Sequence, residues 1–120
     1  MIDDVMNKLK DIGVDVDNTM ELLGSNTALY EKLLTKFINT NPNYQGIIDS
    51  FAENNIENAI SYSHTLKSVA GNLGFTKMSQ ISTTILTRLR AGETTGFEDD
   101  LAALTEEYNK IKSVLSVYIS

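Results

Sequence analysis

The chain carries a single histidine, His64, and the residues spaced around it at helical intervals are the ones whose types suggest chemistry. A water-facing imidazole keeps a neutral fraction near pH 7, with a free ring nitrogen available as nucleophile, base or ligand. Lys67 stands at i+3, where an ammonium approaches an anion held on the ring. Charge-assisted contact of that kind favours a bound or transferred phosphoryl group. Ser68 at i+4 and Gly71 at i+7 place nothing bulky on the C-terminal side of the ring. Glycine inside a helix costs about 1 kcal/mol relative to alanine, a cost that close approach of another surface, or tight packing against the neighbouring helix, would explain. A lone helix-surface histidine is most often a solvated polar residue. The neighbours turn the reading toward phosphate.

The element that must position these residues is the stretch 55–74, NIENAISYSHTLKSVAGNLG. At about 100° per residue, Ile56, Ala59, Ile60, Ser63, Leu66, Ala70 and Leu73 form one apolar to small stripe. On that wheel His64 falls roughly 120–130° from the stripe's centre, with Lys67, Ser68 and Gly71 on its own side. The core therefore faces one way and the imidazole the other. Glu53-Asn54-Asn55 supplies turn and N-cap chemistry before this helix, and Gly74 suits a left-handed residue closing it.

The remaining elements read as scaffold. Residues 2–11 place Ile2, Val5, Met6 and Leu9 at helical spacing until Gly13, and Asp17 suits the cap of a further turn, Asn18 to Leu23, ended by Gly24. Both are expected to be packing appendages. From Asn26, the positions Tyr30, Leu34, Phe37, Tyr44, Ile48 and Phe51 keep one phase through Pro42, the sole proline, which predicts one helix kinked over Asn39 to Asn43, the place where it breaks if it breaks at all. Phe75 to Ala91 carries Met78, Ile81, Ile85 and Leu89, and Gly92 ends it. Thr95 with Glu98 reads as a capping box before Phe97, Leu101, Leu104, Tyr108, Ile111, Leu115 and Tyr118 at strict 4-3 spacing.

No stretch alternates with period two, so no strand is expected. The fold expected is all-α: an antiparallel up-down-up-down four-helix bundle over 26–118, with short extra N-terminal helices over 1–24, in one domain of 120 residues. A hydrophobic content of 42% is enough for one continuous core.

Composition excludes several function classes. Without cysteine there is no disulfide or thiolate chemistry, and one histidine cannot supply a Cys/His zinc site. A net charge of −6 with no Lys/Arg-rich run argues against nucleic acid. No apolar run approaches ~18 residues and MIDDVMNKLK lacks a signal-peptide core, so no membrane partner and a cytoplasmic location are expected. There is no phosphate-binding glycine loop, no His-x-x-x-His pair and no Ser-His-Asp constellation, and the carboxylates sit where helix starts and solvated faces put them. A nucleophilic imidazole without a nucleotide site receives phosphate from, or returns it to, another molecule.

Residues 64–74, HTLKSVAGNLG, resemble the H-x-L-K-G/S-x-A-x-x-x-G signature of histidine-containing phosphotransfer (HPt) domains. Residues 29–37, LYEKLLTKF, are similar to that family's L-Y-x-x-L-L-x-x-F helix, and Arg90-Ala91-Gly92-Glu93 to the stretch ending its third bundle helix. The resemblance spans roughly Asp15 to Leu115. It departs from the family at Ser68, where glycine is commoner, and at Thr87, where glutamate often follows leucine. Dimerisation domains of sensor kinases follow their histidine with glutamate and a nearby proline; this chain has Thr65 and no nearby proline, which disfavours autophosphorylation.

The resemblance implies that His64 accepts the phosphoryl group, that Lys67 assists it and that Ser68 gives access to it. It implies a phosphorelay intermediate without kinase activity of its own, exchanging phosphate with the aspartate of a response-regulator receiver domain or hybrid sensor kinase. Ile60, Ser61, Thr65, Ser68 and Gly71 would dock the partner, the protein would be a monomer, and it would need no cofactor, magnesium being supplied by the receiver. The alternative is a non-catalytic helical adaptor in which His64 is incidental.

Overall fold

The computed structural model describes residues 2–118, and each break between its helices falls where the sequence supplies a glycine, a proline or a capping side chain. The described residues form seven helices and no strand: α1 Ile2–Asp11, α2 Val16–Leu22, α3 Thr27–Thr40, α4 Asn43–Ala52, α5 Ile56–Asn72, α6 Thr76–Arg90 and α7 Glu98–Tyr118. The all-α expectation holds, and one buried cluster draws side chains from all seven helices.

The expected kinked helix is instead two helices. Proline disfavours helical geometry in the residue before it, and Asn41 is extended at φ −83°, ψ 112°. The Asn41 side chain accepts from the Asn43 amide at 2.9 Å and starts α4 afresh. The two-residue interruption resets the phase, so Asn43, Ile47 and Ser50 are the buried positions of α4, and Tyr44, Ile48 and Phe51 are half-buried.

Two further expectations are corrected. Asp15, not Asp17, caps α2, its carboxylate accepting from the Asn18 amide at 3.2 Å. Thr95 does not cap α7, which begins at Glu98; Phe97 is buried just before it, and the Thr95 carbonyl is taken by Arg88. Helix α1 packs as expected, lying on α7 and burying Val5 and Leu9 completely.

The interfaces around α5 fix its orientation. Its predicted stripe is the buried edge: Ala59, Ser63, Leu66, Ala70 and Leu73 are buried, with Ile56 and Ile60 half-buried. Small residues on that edge, with Ser82 buried on α6, let α5 and α6 pack closely as a hairpin. On its other flank α5 meets α4, where Gly46 lies so close to the Tyr62 ring that a β-carbon there would stand 2.6 Å from three ring carbons. Helix α4 is held to α7 by aromatic pairs. Tyr44 stacks on Tyr108 at 4.0 Å between centroids, and Phe51 meets Phe97 at 4.8 Å, so the two helices run in opposite directions.

The C-terminal end of α5 is tied to the N-terminal helices. Gly74 takes φ +82°, a conformation only glycine adopts freely, and its carbonyl accepts from the Asp15 amide at 2.8 Å. A β-carbon on Gly74 would fall 2.6 Å from both the Asp15 carbonyl oxygen and the Thr19 hydroxyl. Fully buried Tyr30 of α3 donates its hydroxyl to the Leu73 carbonyl at 3.0 Å. Burial raises that phenol well above its ordinary range.

Candidate functional site

The site is one face of α5. Asn55 caps the helix, accepting from the Asn58 amide at 3.0 Å, and seventeen residues then run unbroken to Asn72. Burial of Ser63 and Leu66 rotates His64 outward, and its side chain is exposed. Lys67 is half-buried, the pattern of an aliphatic stem packed on the helix surface beneath a solvated head. Among the described residues neither His64 nor Lys67 is paired with a carboxylate; ion pairs are made by Lys10, Lys77, Arg88 and Lys110.

The other predicted residues share this face. Ser61, Thr65, Ser68 and Gly71 are exposed, and Ile60 is half-buried, with part of its side chain on the core. Two of the hydroxyls are turned inward onto their own helix: Thr65 donates to the Ser61 carbonyl at 3.1 Å and Ser68 to the His64 carbonyl at 3.3 Å.

Of the two explanations for Gly71, tight packing fails. A β-carbon there would meet a single atom within 4 Å, the Ser79 hydroxyl oxygen at 3.4 Å, an ordinary contact. The absence of a side chain leaves open surface two turns beyond the imidazole, and packing in the bundle does not require it.

Chemically the face offers a nucleophilic ring in solvent with one uncommitted ammonium on the same side. Nothing encloses it. The apolar groove between the α3–α4 break and the end of α5, about 470 Å³, is lined by Leu22, Leu33, Phe37, Val69 and Leu73 among others and includes neither His64 nor Lys67. Small-molecule enzymes bury most of their substrate in a concave site; an exposed convex ring suits a macromolecular donor that brings its own pocket. Among the described residues no three His, Cys, Asp or Glu side chains converge as metal ligands, and no helix is long and apolar enough to cross a membrane.

Sequence reasoning missed Ser79 of α6, whose hydroxyl donates to the Lys67 carbonyl at 2.9 Å. Its position on the helix face gives no sign of this, because the contact depends on the register between two helices. It also missed Arg88, which donates to Glu93 at 3.0 Å, to Asp100 at 2.6 Å and to the Gly96 carbonyl at 3.0 Å, and lies 4.2 Å above the Phe97 ring. Hydrogen bonds to Glu93 first and Asp100 second push that guanidinium above its ordinary range. This cluster fixes the α6–α7 connection.

No curated protein and no solved structure matches the chain. The family model of the Hpt domain matches residues 32–114, which takes in α4, α5 and α6 whole and most of α3 and α7. A match over more than half the sequence that contains the entire histidine face settles the family: the chain belongs to the Hpt domain family, the phosphocarrier modules of phosphorelay signalling, which work with the receiver domains and kinases of two-component systems.

Proposed function

We propose that this protein is a phosphorelay intermediate that carries a phosphoryl group on His64 between aspartates of receiver domains. The observation that carries the reading is the sole imidazole exposed on an open helix face, with an uncommitted ammonium at i+3. In the forward step a neutral ring nitrogen of His64 attacks the phosphorus of an aspartyl phosphate in line. The N–P bond forms as the P–O bond to the aspartate breaks, and the aspartate leaves as a carboxylate. The proton on the other ring nitrogen is retained or passes to solvent. The reverse step returns the phosphoryl group to a second receiver.

Such a transfer is mostly positioning and charge neutralisation. Lys67 supplies the neutralising charge from this chain, and any magnesium belongs to the receiver's acidic site. Ile60, Ser61, Thr65, Ser68 and Gly71 form the platform on which the receiver seats, and the complex is transient, as signalling turnover requires. The chain mixed with a charged receiver domain should acquire an acid-labile, alkali-stable phosphoryl label. A chain that binds the receiver and stays unlabelled would be an adaptor, and the proposal would fail.

A further inference from the structure

Helices α5 and α6 meet through a seam of small and apolar side chains, and among the described residues one side-chain hydrogen bond crosses it, from the Ser79 hydroxyl to the Lys67 carbonyl at 2.9 Å. In α-helical register the same carbonyl takes the Gly71 amide, so the brace lands on the one carbonyl of this face whose helical donor is a glycine. Glycine is the residue with most backbone freedom to lose in a helix, and here no side chain packs at that position to compensate. The backbone is therefore most in need of support where the site's cation is attached. Half-buried Ser79 supplies it from the adjacent helix.

We infer that Ser79 is a positioning residue for the histidine face, fixing the turn that carries Lys67 so that its ammonium is aimed at the phosphoryl group on His64. The inference rests on the proposed phosphotransfer. The Ser79 hydroxyl bonds to the Lys67 carbonyl and to neither imidazole nor ammonium; it acts through the Lys67 backbone. A small displacement of a charge-neutralising group is enough to slow a transfer that depends on geometry.

The test uses the full chain, charged on its imidazole with phosphoramidate and discharged in single turnover to a receiver domain that accepts the group from the wild type. Ser79→Ala should slow discharge about three- to tenfold, as misplacement without loss of the cation implies. Ser79→Thr, which keeps the hydroxyl, should restore the rate to within about twofold. On a Lys67→Ala background, Ser79→Ala should add nothing, because the group it positions is gone. The Lys67 carbonyl carbon should shift in Ser79→Ala, and the Gly71 amide should exchange faster than those of its neighbours. An unchanged rate in Ser79→Ala overturns the inference, and so does equal slowing with or without Lys67, which marks a merely structural serine. A wild-type chain that cannot be charged at all refutes the phosphotransfer reading itself, a failure readily told from the other two.

Discussion

Replacing Gly71 separates stability from function, because the structure predicts opposite signs for the two. Position 71 is exposed and lies inside α5, so alanine there gains helix propensity, and its β-carbon would meet only the Ser79 oxygen, at 3.4 Å. The gain for glycine to alanine at an unstrained helical position is about 0.7 kcal/mol. With a urea dependence of about 1.5 kcal/mol per molar for a chain of this size, the midpoint should rise by about 0.5 M. Gly71→Leu should be tolerated nearly as well in the free protein, since its longer side chain extends into solvent. Leucine would, however, stand on the surface through which the receiver is proposed to reach His64, and transfer should fall at least about tenfold, equivalent to ~1.4 kcal/mol or more of lost docking. Urea unfolding followed by circular dichroism and single-turnover labelling measure the two effects on the same preparations. A Gly71→Ala variant less stable than wild type would show that the position is not open. A Gly71→Leu variant with full transfer would remove Gly71 from the docking face.

The remaining predictions address the groups that hold and arm that face. Tyr30→Phe strands the buried Leu73 carbonyl and should cost about 1–2 kcal/mol at neutral pH in urea unfolding. Because burial raises the Tyr30 phenol in the folded state, the native protein holds that proton longer than the unfolded chain. Its contribution to stability is whole below about pH 10 and is lost above it, at up to ~1.4 kcal/mol per pH unit; Tyr30→Phe should flatten that alkaline slope. Gly74→Ala should cost about 3 kcal/mol, combining a left-handed backbone with overlap on Asp15 and Thr19, and a variant within 1 kcal/mol of wild type would contradict the packing described. Arg88→Met should speed amide exchange over 91–97 while leaving phosphoryl transfer unchanged. Lys67→Ala should slow transfer about tenfold without lowering the urea midpoint, and unaltered rates would leave the lysine without a role.

The histidine helix was legible in the chain because everything that specifies it is local. Asn55 as cap, Gly74 as terminator and the stripe from Ile56 to Leu73 lie within twenty consecutive residues, and they dictate which way His64 points. The break at Asn41-Pro42 was harder to see, since a proline inside an amphipathic pattern is compatible with a kink or a restart. What decided it was the extended backbone of Asn41 before Pro42, with its side chain accepting from the Asn43 amide, and α4 restarts in a phase that buries Ile47 rather than Ile48. At the start of α7 the Thr95-Glu98 signal lost to tertiary structure, because Arg88 engages the Thr95 carbonyl and Phe97 is drawn into the core. Gly71 was ambiguous from one sequence, as crowding and openness both select for glycine. Ser79 was invisible, because the contact with Lys67 is created only when α5 and α6 are set side by side.

The central claim concerns one atom type, a ring nitrogen of the single imidazole, and magnetic resonance reads it without ambiguity. After incubation with a phosphorylated receiver, the His64 ring signals of the wild-type chain should move and show coupling to phosphorus, and a His64→Gln chain of unchanged helicity should take up no phosphoryl group. Label appearing on the His64→Gln chain, or a labelled wild-type chain whose imidazole signals stay where they were, would contradict the account.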